Sequence, residues 1–147
     1  MYHYAECGLR NVWLANGYRT LETEYGSATS IEDVDGLHRA IGERLARHKP
    51  KLTGSEFRFL RKELGLSQAK FGQSFDLEAQ SVALWERKGR VPTWADRIIR
   101  QLYLESVAEN TKIKELIERL NDLDRQEHEN ERQIFQETDK GWAAQAA

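Results

Sequence analysis

The sequence predicts a mainly α protein: short helices around one small apolar core, preceded by a small β-ribbon and followed by a further helix. Three observations carry that expectation. Apolar residues recur three and four positions apart over most of the chain after Val34, the spacing of a helix with one buried face. Ser and Thr residues stand in front of several of these runs at capping distance, as in Thr53 with Glu56 and Ser67 before Gln68. The one strong hairpin signal, Asn16-Gly17 between Leu14 and Tyr18, tolerates positive φ at both positions and falls within the first fifty residues.

His3-Tyr4 and Val12-Trp13-Leu14 are β-prone, so a two- or three-stranded antiparallel ribbon is expected from Tyr2 to about Glu24. So small a ribbon needs a partner surface to persist in water. Ser30 with Asp33 opens the first helix by capping-box logic; Val34, Leu37, Ile41 and Leu45 mark its apolar stripe, and Lys49-Pro50 ends it after His48. Thr53 and Glu56 launch a second helix over residues 54–64, with Phe57, Leu60 and Leu64 inward and Gly65 as a left-handed stop. Ser67 caps a short third helix, and Glu78 stands where a fourth begins. Leu66, Phe71, Phe75, Val82 and Trp85 close that pair over a core, leaving Ala79, Gln80, Ala83 and Leu84 outward. After Pro92, Thr93 caps a helix from Trp94 to about Ala108, with Ile98, Leu102 and Val107 inward and Ile99 and Tyr103 flanking.

Ile113, Leu116, Leu120 and Leu123 then repeat at alternating spacings of three and four, the seam of a short coiled coil; Glu127 and Asn130 interrupt it before Ile134. These leucines and Ile113 either pair two copies of the chain or pack back on its own domain. The resulting division is residues 1–50 for a ribbon and helix, 51–108 for a helical domain, 109–140 for a helical extension that is a candidate for dimerisation, and 141–147 for a tail. That tail is expected to lack order or to await a partner with Trp142.

At 147 residues the chain suits one domain or two very small ones. No apolar run approaches a membrane span, and the opening residues are too polar for a secretory signal, so a cytoplasmic location is expected with no membrane partner. The single Cys7 excludes an internal disulfide framework. A net charge of −2 hides an asymmetry. Residues 51–100 carry ten Lys and Arg against six Asp and Glu, whereas residues 101–147 carry six against eleven. The positive charge is concentrated in the segment that contains the two short helices, which suits attraction to phosphate.

The run from Leu66 to Glu86, LSQAKFGQSFDLEAQSVALWE, has the punctuation of a helix-turn-helix and resembles the Cro and lambda-type repressors, also called the Xre family. The likeness covers Thr53 to about Tyr103 and implies a five-helix lambda-repressor-like domain whose reading helix, starting at Glu78, enters the major groove of double-stranded DNA. Ser67 and Gln68 match positions at the start of the family's second helix, a common phosphate or base contact. Ala79, Gln80 and Ser81 match groove-facing positions. Leu84 departs from the family, which commonly carries a polar or basic reader there, and leaves only an apolar contact such as a thymine methyl. Arg61 and Glu86 match a pair that often forms a partly buried ion pair. Arg87, Lys88 and Arg90 follow the reading helix in a loop that the resemblance sets beside the sugar-phosphate backbone.

A small β-containing module before such a domain looks like the MqsA-type antitoxins, whose module commonly holds zinc on two Cys-x-x-Cys pairs. Here Cys7 stands alone, with His3 near it in sequence and His38 and His48 distant, so neither a metal nor any other cofactor is expected. No P-loop, dinucleotide turn, HExxH or GxSxG appears, so an enzyme is not expected either. The sequence leads to a sequence-specific DNA-binding regulator, a homodimeric autorepressor reading an inverted repeat. The alternative is an antitoxin that neutralises a partner toxin, with or without autoregulation. A third reading makes the motif a degenerate one in an oligomeric scaffold.

Overall fold

The computed structural model describes residues 1–108 and 134–144. Among these the protein is mainly α, with five helices and three small antiparallel strand pairs. β1 (Tyr2–His3) pairs with β2 (Trp13–Leu14), and β3 (Tyr18–Thr23) with β4 (Gly26–Ile31). The helices are α1 (Val34–His48), α2 (Gly54–Glu63), α3 (Gln68–Ser74), α4 (Ala79–Lys88) and α5 (Thr93–Val107). β5 (Phe135–Thr138) and β6 (Gly141–Ala144) form the last hairpin. No helix among the described residues is long and apolar enough to cross a membrane.

The ribbon differs from expectation. Gly17 does take a positive φ of 77°, but β2 and β3 do not pair across it. The hairpin turn lies at Glu24-Tyr25 instead. There the Thr23 hydroxyl donates to the Gly26 carbonyl at 2.7 Å and accepts from the Tyr25 N–H at 3.3 Å. Ser30 therefore belongs to β4, opposite Arg19, and does not cap α1. That cap is Asp33, held at φ 47°, whose carboxylate accepts from the Gly36 N–H. A Ser/Thr-type hydroxyl was the weaker competitor because an Asp one residue before the helix can reach the same orphan N–H.

The starts of α2 and α3 follow their capping residues, but α5 begins at Thr93 itself, behind Pro92, which has no side-chain donor or acceptor to cap it, so Thr93 is the first residue of the helix and not its cap. Both halves of the Thr53–Glu56 capping box are formed, and Gly65 stands at φ 72° just past α2. Phe57, Leu60, Phe71, Val82 and Ile99 are fully buried at the centre, joined by Leu52, Phe59, Val91 and Ala95. α5 presents Ala95, Asp96, Ile99, Leu102 and Tyr103 inward, so its buried stripe is centred one position beyond the Ile98–Val107 line. The close approach of α1 explains the difference: Gly42 faces Tyr103 so tightly that a Cβ there would overlap the ring. Asp96 is buried because it accepts from the Leu52 N–H at 2.8 Å and pairs with Arg100 at 2.6 Å, clamping the α1–α2 connection onto α5.

At the other end, residues 135–138 are strand where helix was expected, and 141–144 are its partner strand, where an unstructured tail was expected. Thr138 repeats the turn of Thr23: its hydroxyl donates to Gly141 at 2.7 Å and accepts from the Lys140 N–H at 3.3 Å. The Ile113, Leu116, Leu120 and Leu123 seam lies outside the described residues.

Candidate nucleic-acid interface

α3 starts where the Ser67 hydroxyl accepts from the Lys70 N–H at 3.0 Å, and it lasts only seven residues. Its end is a tight reversal. The Leu77 N–H returns to the Gly72 carbonyl at 2.8 Å, and Asp76 adopts φ 57°, which its short polar side chain tolerates. A Cβ on Gly72 would lie 2.7 Å from the Leu77 carbonyl oxygen, so the approach of the chain leaving α3 depends on that glycine. Glu78 then occupies the extended N-cap position of α4 without making a side-chain cap bond.

α4 is held from behind by three kinds of contact. Val82 is wholly buried, and Trp85 meets Phe57, Phe71 and Trp94 edge-on at 6.0, 6.4 and 5.6 Å. Arg61 forks onto Glu86, Nε to Oε2 at 2.7 Å and Nη2 to Oε1 at 3.0 Å, while its Nη1 donates to the Leu66 carbonyl at 2.7 Å. Both charged side chains are more than nine-tenths buried. The Gln68 amide adds a bond of 3.1 Å to Glu86 Oε1. Finally, Gly54 at the start of α2 abuts the carbonyls of Trp85 and Glu86, leaving no room for a side chain.

Against this support, the outer face of α4 stands clear. Gln80 and Leu84 are exposed one turn apart, and Arg87 and Lys88 continue the same side of the helix. Gly89 closes α4 at φ 74°, and exposed Arg90 follows. The side chains of Gln80, Arg87, Lys88 and Arg90 make no hydrogen bond or ion pair among the described residues. Ala79, Ser81 and Ala83 are half-buried beside them. Chemically, this edge offers an amide that can both donate and accept, an apolar contact at Leu84 and three unpaired cations.

No protein-family model, curated protein or solved structure matches the chain. The site therefore rests on its own geometry.

Ser67 and Gln68 occupy a different position from the residues on α4. The Ser67 oxygen is engaged as a cap and the Gln68 amide is engaged with Glu86, so both act on the helix ends. Trp94, which sequence reasoning placed at a helix start with no role, packs on Phe75 and Trp85 at 5.1 and 5.6 Å and shores up the turn from the α5 side. A second unforeseen group joins the ribbon to the helices. The Tyr4 hydroxyl lies 2.7 Å from His38 Nε2, and His38 Nδ1 lies 2.7 Å from Glu63 Oε1. These residues are 34 and 25 positions apart, and no local pattern links them. Cys7 donates its S–H to the Tyr4 carbonyl.

Proposed function

We propose that the protein is a sequence-specific DNA-binding transcription regulator with a lambda-repressor-like helix-turn-helix, in which α4 reads the major groove. The observation that carries this reading is the exposed, unpartnered run of Gln80, Leu84, Arg87, Lys88 and Arg90 on a helix otherwise locked to its domain by the Arg61–Glu86 fork. A reading helix must be rigid at its back and unsatisfied at its front, since its polar groups find their partners only on DNA. Gln80 is long enough to bond adenine through both amide atoms, and Leu84 suits a thymine methyl. Arg87, Lys88 and Arg90 supply phosphate attraction. One such helix reads only a few base pairs, so the reading includes a homodimer on an inverted repeat that covers the promoter of its own gene. Footprinting on the DNA upstream of that gene tests it: protection of two half-sites about 34 Å apart is expected, and uniform cleavage at low salt would refute the reading.

A second reading, an antitoxin that binds a partner toxin, draws on the β3–β4 hairpin. Its twelve strand residues are mostly exposed, Tyr25 in the turn between them almost fully so, and neither outer edge pairs with another strand among the described residues. Such edges are templates for strand addition by another protein. A toxin-like reading frame beside the gene whose product co-purifies with the chain, and no longer does so once residues 18–31 are replaced by a short turn, is the result this reading requires.

A further inference from the structure

Between the loop that precedes β2 and the last two turns of α1 lies a cleft of about 360 Å³. Its apolar wall is built from Val12, Ile41 and Leu45, and Trp13, with His3 stacked on it at 4.4 Å, supplies an aromatic flank. Arg44 and His48 stand on one side of α1, four positions apart, and both line the same cleft. Neither makes an ion pair or hydrogen bond among the described residues, and both are exposed. Lys49 and the Glu56 carboxylate also line the cleft and neutralise each other at 3.1 Å, and Asn11 is its further polar residue. The volume is in the range of small-ligand sites, which combine apolar walls with a few convergent polar groups.

We propose that this cleft binds a small amphipathic carboxylate, an acid with an aromatic or short aliphatic body, whose carboxylate is held by Arg44 and His48 and whose body packs on Val12, Ile41 and Trp13. A guanidinium matches a carboxylate through two parallel N–H···O bonds, so an unpaired Arg beside an apolar wall selects an anionic head attached to an apolar tail. A bare inorganic anion gains nothing from the wall, and a neutral aromatic amide gains no ion pair from Arg44. No residue of α4 lines this cleft.

The test uses the full chain labelled with ¹⁵N, following the four tryptophan indole N–H resonances, with W13F assigning that of Trp13. Benzoate, benzamide and inorganic phosphate are titrated in turn. Benzoate is expected to move the Trp13 resonance with half-saturation at about 1 mM, while the Trp142 resonance stays in place. Benzamide is expected to bind about tenfold more weakly, and phosphate to leave Trp13 unmoved. Arg44→Gln, at an exposed position, should lower benzoate affinity about tenfold, leave benzamide unchanged and leave the thermal melt in place. No movement of Trp13 with benzoate would overturn the proposal. So would equal responses to benzoate and phosphate, which would reduce the site to a cationic patch, or an R44Q protein that binds benzoate as the native chain does.

Discussion

Arg61 and Glu86 illustrate how much one buried charge pair can decide. Removing water from two charges is costly, and the fork geometry, with Leu66 and Gln68 as further partners, offsets that cost. Deleting one member leaves the other buried and uncompensated. Arg61→Ala and Glu86→Ala are each expected to destabilise the fold by about 3–5 kcal/mol, and the double replacement Arg61→Met with Glu86→Leu to lose much less. Urea denaturation of the three proteins checks this; single variants as stable as the native chain would contradict it. Tyr103 makes a pH prediction. Burial pushes its hydroxyl up to about 12. A folded-state value above that of the unfolded chain means the native state keeps a proton that the unfolded state releases, so the stability is full below about pH 10 and is lost as pH rises through about 12. Melting temperatures taken from pH 9 to 12 should therefore fall more steeply for the native protein than for Tyr103→Phe.

Among the elements, contacts made by glycines set the spacing of the helices. The start of α2 reaches the end of α4 only because Gly54 has no side chain, and the obstruction a Cβ would meet is the backbone of Trp85 and Glu86, which cannot rotate aside. Gly54→Ala should thus cost about 1–3 kcal/mol despite the better helix propensity of alanine, a change readable in the denaturation midpoint at constant slope. Helix ends were largely legible beforehand, because Thr53, Glu56, Gly65 and Ser67 act within one turn of themselves. The strands were less so. β4 contains Gly26, Ser27 and Ser30, which have no β preference and little apolar alternation, and it is strand only through its six-residue register with β3. The Thr-x-x-Gly turn common to the β3–β4 and β5–β6 hairpins is a sequence signal, at Thr23 and Thr138, that the stronger Asn16-Gly17 pair concealed.

For the molecule as a whole, the question is how charge is distributed about one exposed helix edge. Of the ten cations between residues 51 and 100, Arg87, Lys88 and Arg90 stand exposed at the end of α4, Lys51, Arg58, Lys62, Lys70 and Arg97 are exposed elsewhere on the domain, and Arg61 and Arg100 are consumed in ion pairs. In the proposed reading, specificity and affinity separate along this edge. Gln80→Ala should weaken binding to the cognate operator by about 1–3 kcal/mol with little change on random DNA. Lys88→Ala and Arg90→Ala should weaken binding to every duplex and each lower the slope of log affinity against log salt by about one. Mobility-shift titrations at several salt concentrations separate the two, and equal losses on cognate and random DNA for Gln80→Ala would remove that residue from the reading role.

Local chemistry alone determined the helical class of this protein, the capped starts of α2 and α3, and the apolar residues that meet beneath α4, since each depends on neighbours within about four positions. Tertiary packing decided which face of α5 turned inward, that Gln68 bonds Glu86, that Tyr4 reaches Glu63 through His38, and that Val12, Trp13, Ile41 and Arg44 share one cleft. Those outcomes join residues far apart in the chain, and no periodicity encodes which distant surfaces will exclude water from one another.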